Sequence, residues 1–296
     1  MEQFFSGWKR SYYGKGDVIV YRLNRDGRAP GRQSPVFGAS VLMLTYGDAF
    51  WPTYTTGDNT GLIATDSMKN FIQRETLNFA GDDLAEYCRF LAARFIGLYP
   101  QAEGVQVSAT EIPYAGVDSR IAFAPSGPER ATARVELQRP SGPPPGRPMD
   151  GAGPATVIEA AAGVRGFRLL RLGGSAFHGF VRDEYTTLPD IANRPLHMWL
   201  DVEWHHTDPN DAFGSEATAA TRAIVRDVFT AFESGSIQQV IYQIGTRMLE
   251  QIPSLAEVHL EANNRTWDTI AERGGELGVY TDARPPYGCL GLRLKR

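Results

Sequence analysis

The chain has 296 residues, 42% apolar and 22% charged, with a formal net charge of −4. This leaves room for a large core in one big domain or two similar ones, in the composition of an ordinary globular protein. The acidic balance argues against a nucleic-acid surface, and no apolar run is long enough to cross a bilayer.

The first ten residues lack the apolar core of a secretion signal, and Leu294-Lys295-Arg296 is not the Ser-Lys-Leu address. Cytoplasm is the expected compartment. The two cysteines, Cys88 and Cys289, are too few for a disulfide framework. Both sit in apolar patterns and are expected to be buried and reduced. No His or Cys pair has structural-zinc spacing, and adjacent His205 and His206 would face opposite sides of a strand. No metal is expected.

In chain order, Val18–Leu23 and Ser40–Tyr46 read as strands joined by a Gly/Pro/Arg loop. A polar turn around Gly57-Asp58-Asn59 then leads to Thr65-Asp66-Ser67, residue types that cap helix starts. Met68, Phe71 and Ile72 follow at helical spacing. This stretch reads as a capped helix, or as a helix start whose free N–H groups meet an anion or carbonyl. Gly81-Asp82-Asp83 caps a second helix with Leu84, Cys88, Leu91 and Phe95 on one face, and Pro100 stops it. Val105–Ile112 and Ala131–Leu137 alternate as strands.

Arg139–Pro148 is proline-rich and unfit for a central strand. It sets the expected division: residues 1–138, a linker or surface loop over 139–154, and residues 155–296. In the second half Ala155–Ala160, Gly166–Leu172 and Met198–Trp204 read as strands. Ser215 to Glu233 reads as a helix, Ser234-Gly235-Ser236 breaks and re-caps the chain, and a further helix runs to about Pro253. Val258–Glu261 and Cys289–Leu294 close the chain as short strands. The fold class is α+β: two β-β-α-α-β-β units, each an antiparallel sheet with helices on one face.

Two segments carry a resemblance to a known family. Tyr54-Thr55 through Asp58-Asn59, with Ala64-Thr65-Asp66-Ser67 and Lys69-Asn70, is similar to the first signature of the urate oxidase (uricase) family. Gly179-Phe180-Val181-Arg182-Asp183-Glu184-Tyr185-Thr186-Thr187-Leu188 resembles the second, in the same order along the chain. The resemblance implies tunnelling-fold (T-fold) units that join edge to edge into a barrel. It also implies a homotetramer with active sites at subunit interfaces, and oxidation of urate by O2 and water with no cofactor.

The resemblance also implies site residues. Lys15, in Tyr13-Gly14-Lys15, matches the catalytic lysine, and Thr65 completes its proton path. The Asp66 backbone N–H would meet the purine, Phe177 would stack on it, and Arg194 would clamp it through a planar fork. Ile237 would add a backbone bond, Gln238 would hold the opposite edge, and Asn263 would hold dioxygen or water. Arg265 stands where many members have a relay histidine, and arginine cannot act as a base. The alternatives are another T-fold enzyme acting on a purine or pterin, and a purine-binding protein of the same fold without catalysis.

Overall fold

A computed structural model describes residues 7, 9–25, 27, 34–117, 121–140, 154–214, 216–265, 267–275, 277–282 and 285–296. The chain divides into two compact units, Met1–Ala162 with His205–Ser215, and Gly163–Trp204 with Glu216–Arg296. Most of the proline-rich stretch, residues 141–153, lies outside the described residues.

In the first unit, β1 (Tyr13–Leu23), β2 (Val36–Tyr46), β3 (Gly104–Glu111) and β6 (Arg130–Gln138) pair antiparallel in that order. Three helices come between β2 and β3: short α1 (Trp51–Thr55), α2 (Thr65–Glu75) and α3 (Leu84–Leu98). The pleat sends alternate residues to one face. Val41, Met43, Val105, Val107 and Val135 are fully buried there, together with Ile72, Tyr87, Cys88, Leu91 and Phe95 of the helix layer. Each such aliphatic or aromatic side chain contributes roughly 1.5–3 kcal/mol by leaving water. A small hairpin, β4 (Tyr114–Gly116) with β5 (Phe123–Pro125), was invisible in the alternation because each strand is only three residues long.

The second unit takes up β7 (Thr156–Arg171) from Gly163 onward, β8 (Leu196–His206) as far as Trp204, β9 (Leu255–Asn264) and β12 (Gly288–Lys295), which pair in that order. Helices α4 (Glu216–Ala231) and α5 (Ile237–Gln251) lie between β8 and β9 in the chain. On β8, even-numbered residues from Leu196 to Trp204 are buried while odd-numbered ones are half-buried. A two-stranded ribbon, β10 (Thr269–Arg273) and β11 (Leu277–Tyr280), precedes β12.

Three expectations need correction. Ala155–Ala160 and Gly166–Leu172 are not two strands: β7 runs through both as one sixteen-residue strand. Gly166 tolerates a φ of 82° and its N–H donates to the Asp201 carboxylate at 2.8 Å, so the glycine kinks the strand without ending it. Cys88 is buried, but Cys289 is exposed. It lies on β12, a strand paired on one side only. Lastly, Thr65, Asp66 and Ser67 do not cap α2. The capping position is Ala64, with no side-chain bond. Asp83 and Ser236 do cap, accepting the N–H of Glu86 at 2.8 Å and of Gln239 at 3.2 Å.

Across β9 and β12, Glu257 pairs in register with Lys295, and Asn263 with Cys289. Burial raises the Glu257 carboxyl, but bonds from Arg293, His259 and Lys295 outweigh it and hold the carboxyl down at about 2. The ordinary value is 4.5. The ionised carboxylate therefore adds stability above pH 4.5, and this is lost as pH falls toward 2. Glu257→Gln is expected to cost about 1–2 kcal/mol at neutral pH, reduced because the Arg293 and Lys295 ends reach solvent. Melting curves from pH 7 to 2 should then converge for parent and variant at the acid end. A constant gap between them would remove Glu257 from the acid transition.

Candidate active site

In the first unit, β1 carries Lys15 and α2 begins with Thr65 and Asp66. Gly14 makes the placement of Lys15 feasible: a Cβ at Gly14 would lie 1.9 Å from the Met43 carbonyl oxygen, so only glycine lets β1 approach β2 there. Past Lys15 the register shifts and Asp17 takes a φ of 53°, a bulge that interrupts the pairing beside the lysine before it resumes at Val18.

Tyr13 connects this end of β1 to the segment before α2. Its hydroxyl accepts the Ile63 N–H at 2.9 Å, and its ring meets Phe50 edge-on at 5.1 Å. Burial pushes the hydroxyl up to about 12, so it remains a neutral O–H. Tyr13→Phe removes the acceptor of the Ile63 N–H, at a cost of about 1–3 kcal/mol. It is expected to lower the melting temperature, and thermal unfolding of variant beside parent measures this; equal melting temperatures would show that the bond adds no stability.

The Asp66 carboxylate faces its own helix, bonding Lys69 at 2.5 Å and Asn70 at 2.9 Å. Its pKa is lowered, first by the Lys69 hydrogen bond and charge, with a smaller contribution from Lys15. No side chain caps the helix start, so its first-turn N–H groups keep their donor capacity.

In the second unit, Phe177, Arg194 and the start of α5 are brought together. Phe177 and Ile191 exchange backbone bonds at 2.7 and 2.9 Å. Ser175 bridges Ser234, and the Arg194 N–H donates to the Ser175 carbonyl at 2.9 Å. One loop thus ties the phenylalanine and the arginine to the turn that opens α5, where Ile237 is buried and Gln238 exposed. Arg171 secures the same turn by donating to the carbonyls of Phe229 and Phe232 and to the Ser234 hydroxyl. Nothing in the sequence marked Arg171, whose partners lie about sixty residues away.

The Arg194 guanidinium carbon lies 5.6 Å from the centroid of Phe177, which Phe180 backs at 4.9 Å. Burial lowers the Arg194 pKa, and its Nε is buried without an acceptor. Asn263 is half-buried near the end of β9, with the Cys289 thiol 4.0 Å from its side-chain oxygen. Arg265 follows, its N–H donating to the His197 carbonyl at 3.0 Å. Its guanidinium is sandwiched between Trp199 and Tyr287, at 3.9 and 3.8 Å from their centroids. Lys15, Thr65 and Asp66 thus belong to the first unit, and Phe177, Arg194, Ile237, Gln238, Asn263 and Arg265 to the second. Among the described residues, no group of three or more His, Cys, Asp or Glu is placed to hold a metal ion. Among the same residues, no helix is long and apolar enough to cross a membrane.

The uricase family model matches residues 160–289. The chain is 34% identical over 302 residues to the uric acid degradation bifunctional protein PucL of Bacillus subtilis, covering 93% of this chain and 59% of that protein. It therefore spans about three-fifths of that bifunctional relative. It is 35% identical to the uricase of Haloferax volcanii, covering 93% of this chain and 95% of that protein. A crystal structure of urate oxidase from Bacillus sp. TB-90 superimposes with a TM-score of 0.86 at 36% identity, covering 97% of this chain and all of that one. These extents of identity and coverage decide the matter: the chain belongs to the urate oxidase (uricase) family.

Proposed function

We propose that this chain oxidises urate with O2 and water to 5-hydroxyisourate and hydrogen peroxide. One observation carries the reading beyond family membership. Arg194 is a partly desolvated cation with an unsatisfied Nε, held beside an aromatic ring. A buried guanidinium without a counter-ion is costly, and a flat anion with adjacent acceptors would complete it.

In this reading Phe177 stacks on the purine and Arg194 grips one edge. Gln238 and the Ile237 backbone hold the other, and the Asp66 N–H at the uncapped start of α2 meets a ring nitrogen or carbonyl. Lys15 with Thr65 takes the proton, and Asn263 orients dioxygen and then water. The electrons come from the purine, so binding its most electron-rich form is the main task of the protein. Arg265 contributes charge and carries no proton.

The same proposal includes a homotetramer in which Lys15, Thr65 and Asp66 of one subunit serve a site whose other residues come from its neighbour. Two features support it. Strands β1 and β12 are each paired on one side only, and Val181 and Tyr185 of the second signature are 87% and 82% exposed in the single chain. The proposed compartment is the cytoplasm, which suits the two free cysteines.

The test is loss of urate absorbance by purified, chelator-treated protein, with oxygen uptake and peroxide recorded together. Equimolar urate and oxygen consumption is expected. Urate that binds and survives would instead establish a non-catalytic purine-binding protein.

A further inference from the structure

We infer that Trp199 and Tyr287 are positioning residues, which hold Arg265 as a cation at the end of β9, beside the start of β8. The inference rests on the urate-oxidising reading and assigns a role that reading leaves open. Two aromatic faces enclose the guanidinium at 3.9 and 3.8 Å. Its Nε is buried with no acceptor. Arg168 also packs on Trp199, 4.6 Å from its centroid. The bond from the Arg265 N–H to the His197 carbonyl ties the end of β9 to the start of β8. Arg194 lies just before β8, and Asn263 lies two residues before Arg265.

An arginine paired with a carboxylate has much of its charge cancelled locally. An arginine between π-faces does not. The ring quadrupoles offset part of its desolvation cost and fix its direction, yet contribute no opposing unit charge. The cation can therefore act on a bound anion, and it acts most strongly where the negative charge on the substrate is greatest. When a proton leaves the purine that charge grows, so the interaction is stronger in the reacting state than in the initial complex. Loosening the clamp should lower kcat more than it raises KM.

The experiment is a double-mutant cycle on urate turnover, built on Tyr287. This residue is 42% exposed, so Tyr287→Leu should be tolerated by the fold. Tyr287→Leu is expected to lower kcat about fivefold or more in the parent and less than twofold when Arg265→Gln is already present. Tyr287→Phe, which keeps the ring and loses the hydroxyl, should retain most of the rate. Trp199→Leu should follow the same pattern with a larger first effect. Equal losses in both backgrounds would make the rings structural supports and overturn the inference, as would a Tyr287→Leu enzyme with parental kcat. Turnover by the parent tests the underlying reading separately. If the parent binds urate without consuming it, the cycle is read on the urate dissociation constant, with the same coupling expected and its absence counting against the clamp. A parent that neither binds nor consumes urate would overturn both.

Discussion

Replacing Arg194 with alanine is expected to weaken urate binding by about 2–5 kcal/mol, roughly 30- to 5000-fold in Kd. The size follows from the setting. Arg194 is held by its own backbone bond to Ser175 and lies beside Phe177 with its Nε unsatisfied. Part of its hydration is thus already lost, and little further ordering cost would fall on binding. Arg194→Lys should recover only part of the loss, because an ammonium supplies the charge without the planar fork. Titration with urate under anaerobic conditions separates binding from turnover. A parental Kd in Arg194→Ala would remove the arginine from the site.

Lys15→Met is expected to behave oppositely, leaving affinity within a few-fold and lowering turnover by about 10²–10⁴, the range for loss of a general base. Methionine keeps much of the length and loses the amine. The two variants together test the assembly. Each is expected to be nearly inactive alone. Unfolded together and refolded at equal ratio, they should recover about a quarter of parental activity, since each intact site then needs one chain of each kind. Hybrids shown to assemble yet without activity would place all of the site residues within one chain.

What could be read in the sequence was mostly local. The α3 face of Leu84, Cys88, Leu91 and Phe95 and the caps Asp83 and Ser236 were legible because helical spacing and capping involve residues within one or two turns. Strand β7 was misread as two because what holds it together past Gly166 lies elsewhere in the chain: the Gly166 N–H donates to the Asp201 carboxylate on β8. The cap at Thr65-Asp66-Ser67 was misplaced because the residue types suit a cap, but Asp66 is claimed by Lys69 and Asn70. At the site, family motifs identified the candidate contact residues and missed their supports. Tyr13 reaches Ile63, Arg171 reaches Ser234, and Trp199 and Tyr287 enclose Arg265. Such supports depend on partners distant in the chain, and no spacing rule announces them.

The path of the chain through its two units limits how the molecule can be rebuilt. The backbone passes from one unit to the other after Ala162, returns after Trp204, and leaves again after Ser215. A single recombination point can therefore never trade one whole unit for that of a relative. A chimaera that keeps both units complete needs three junctions, two of them inside strands, where a mismatch of one residue would turn the inward face outward. Random gene shuffling should accordingly yield few working hybrids, and exchanges confined to the loop after β8 should survive far more often than those breaking within β7.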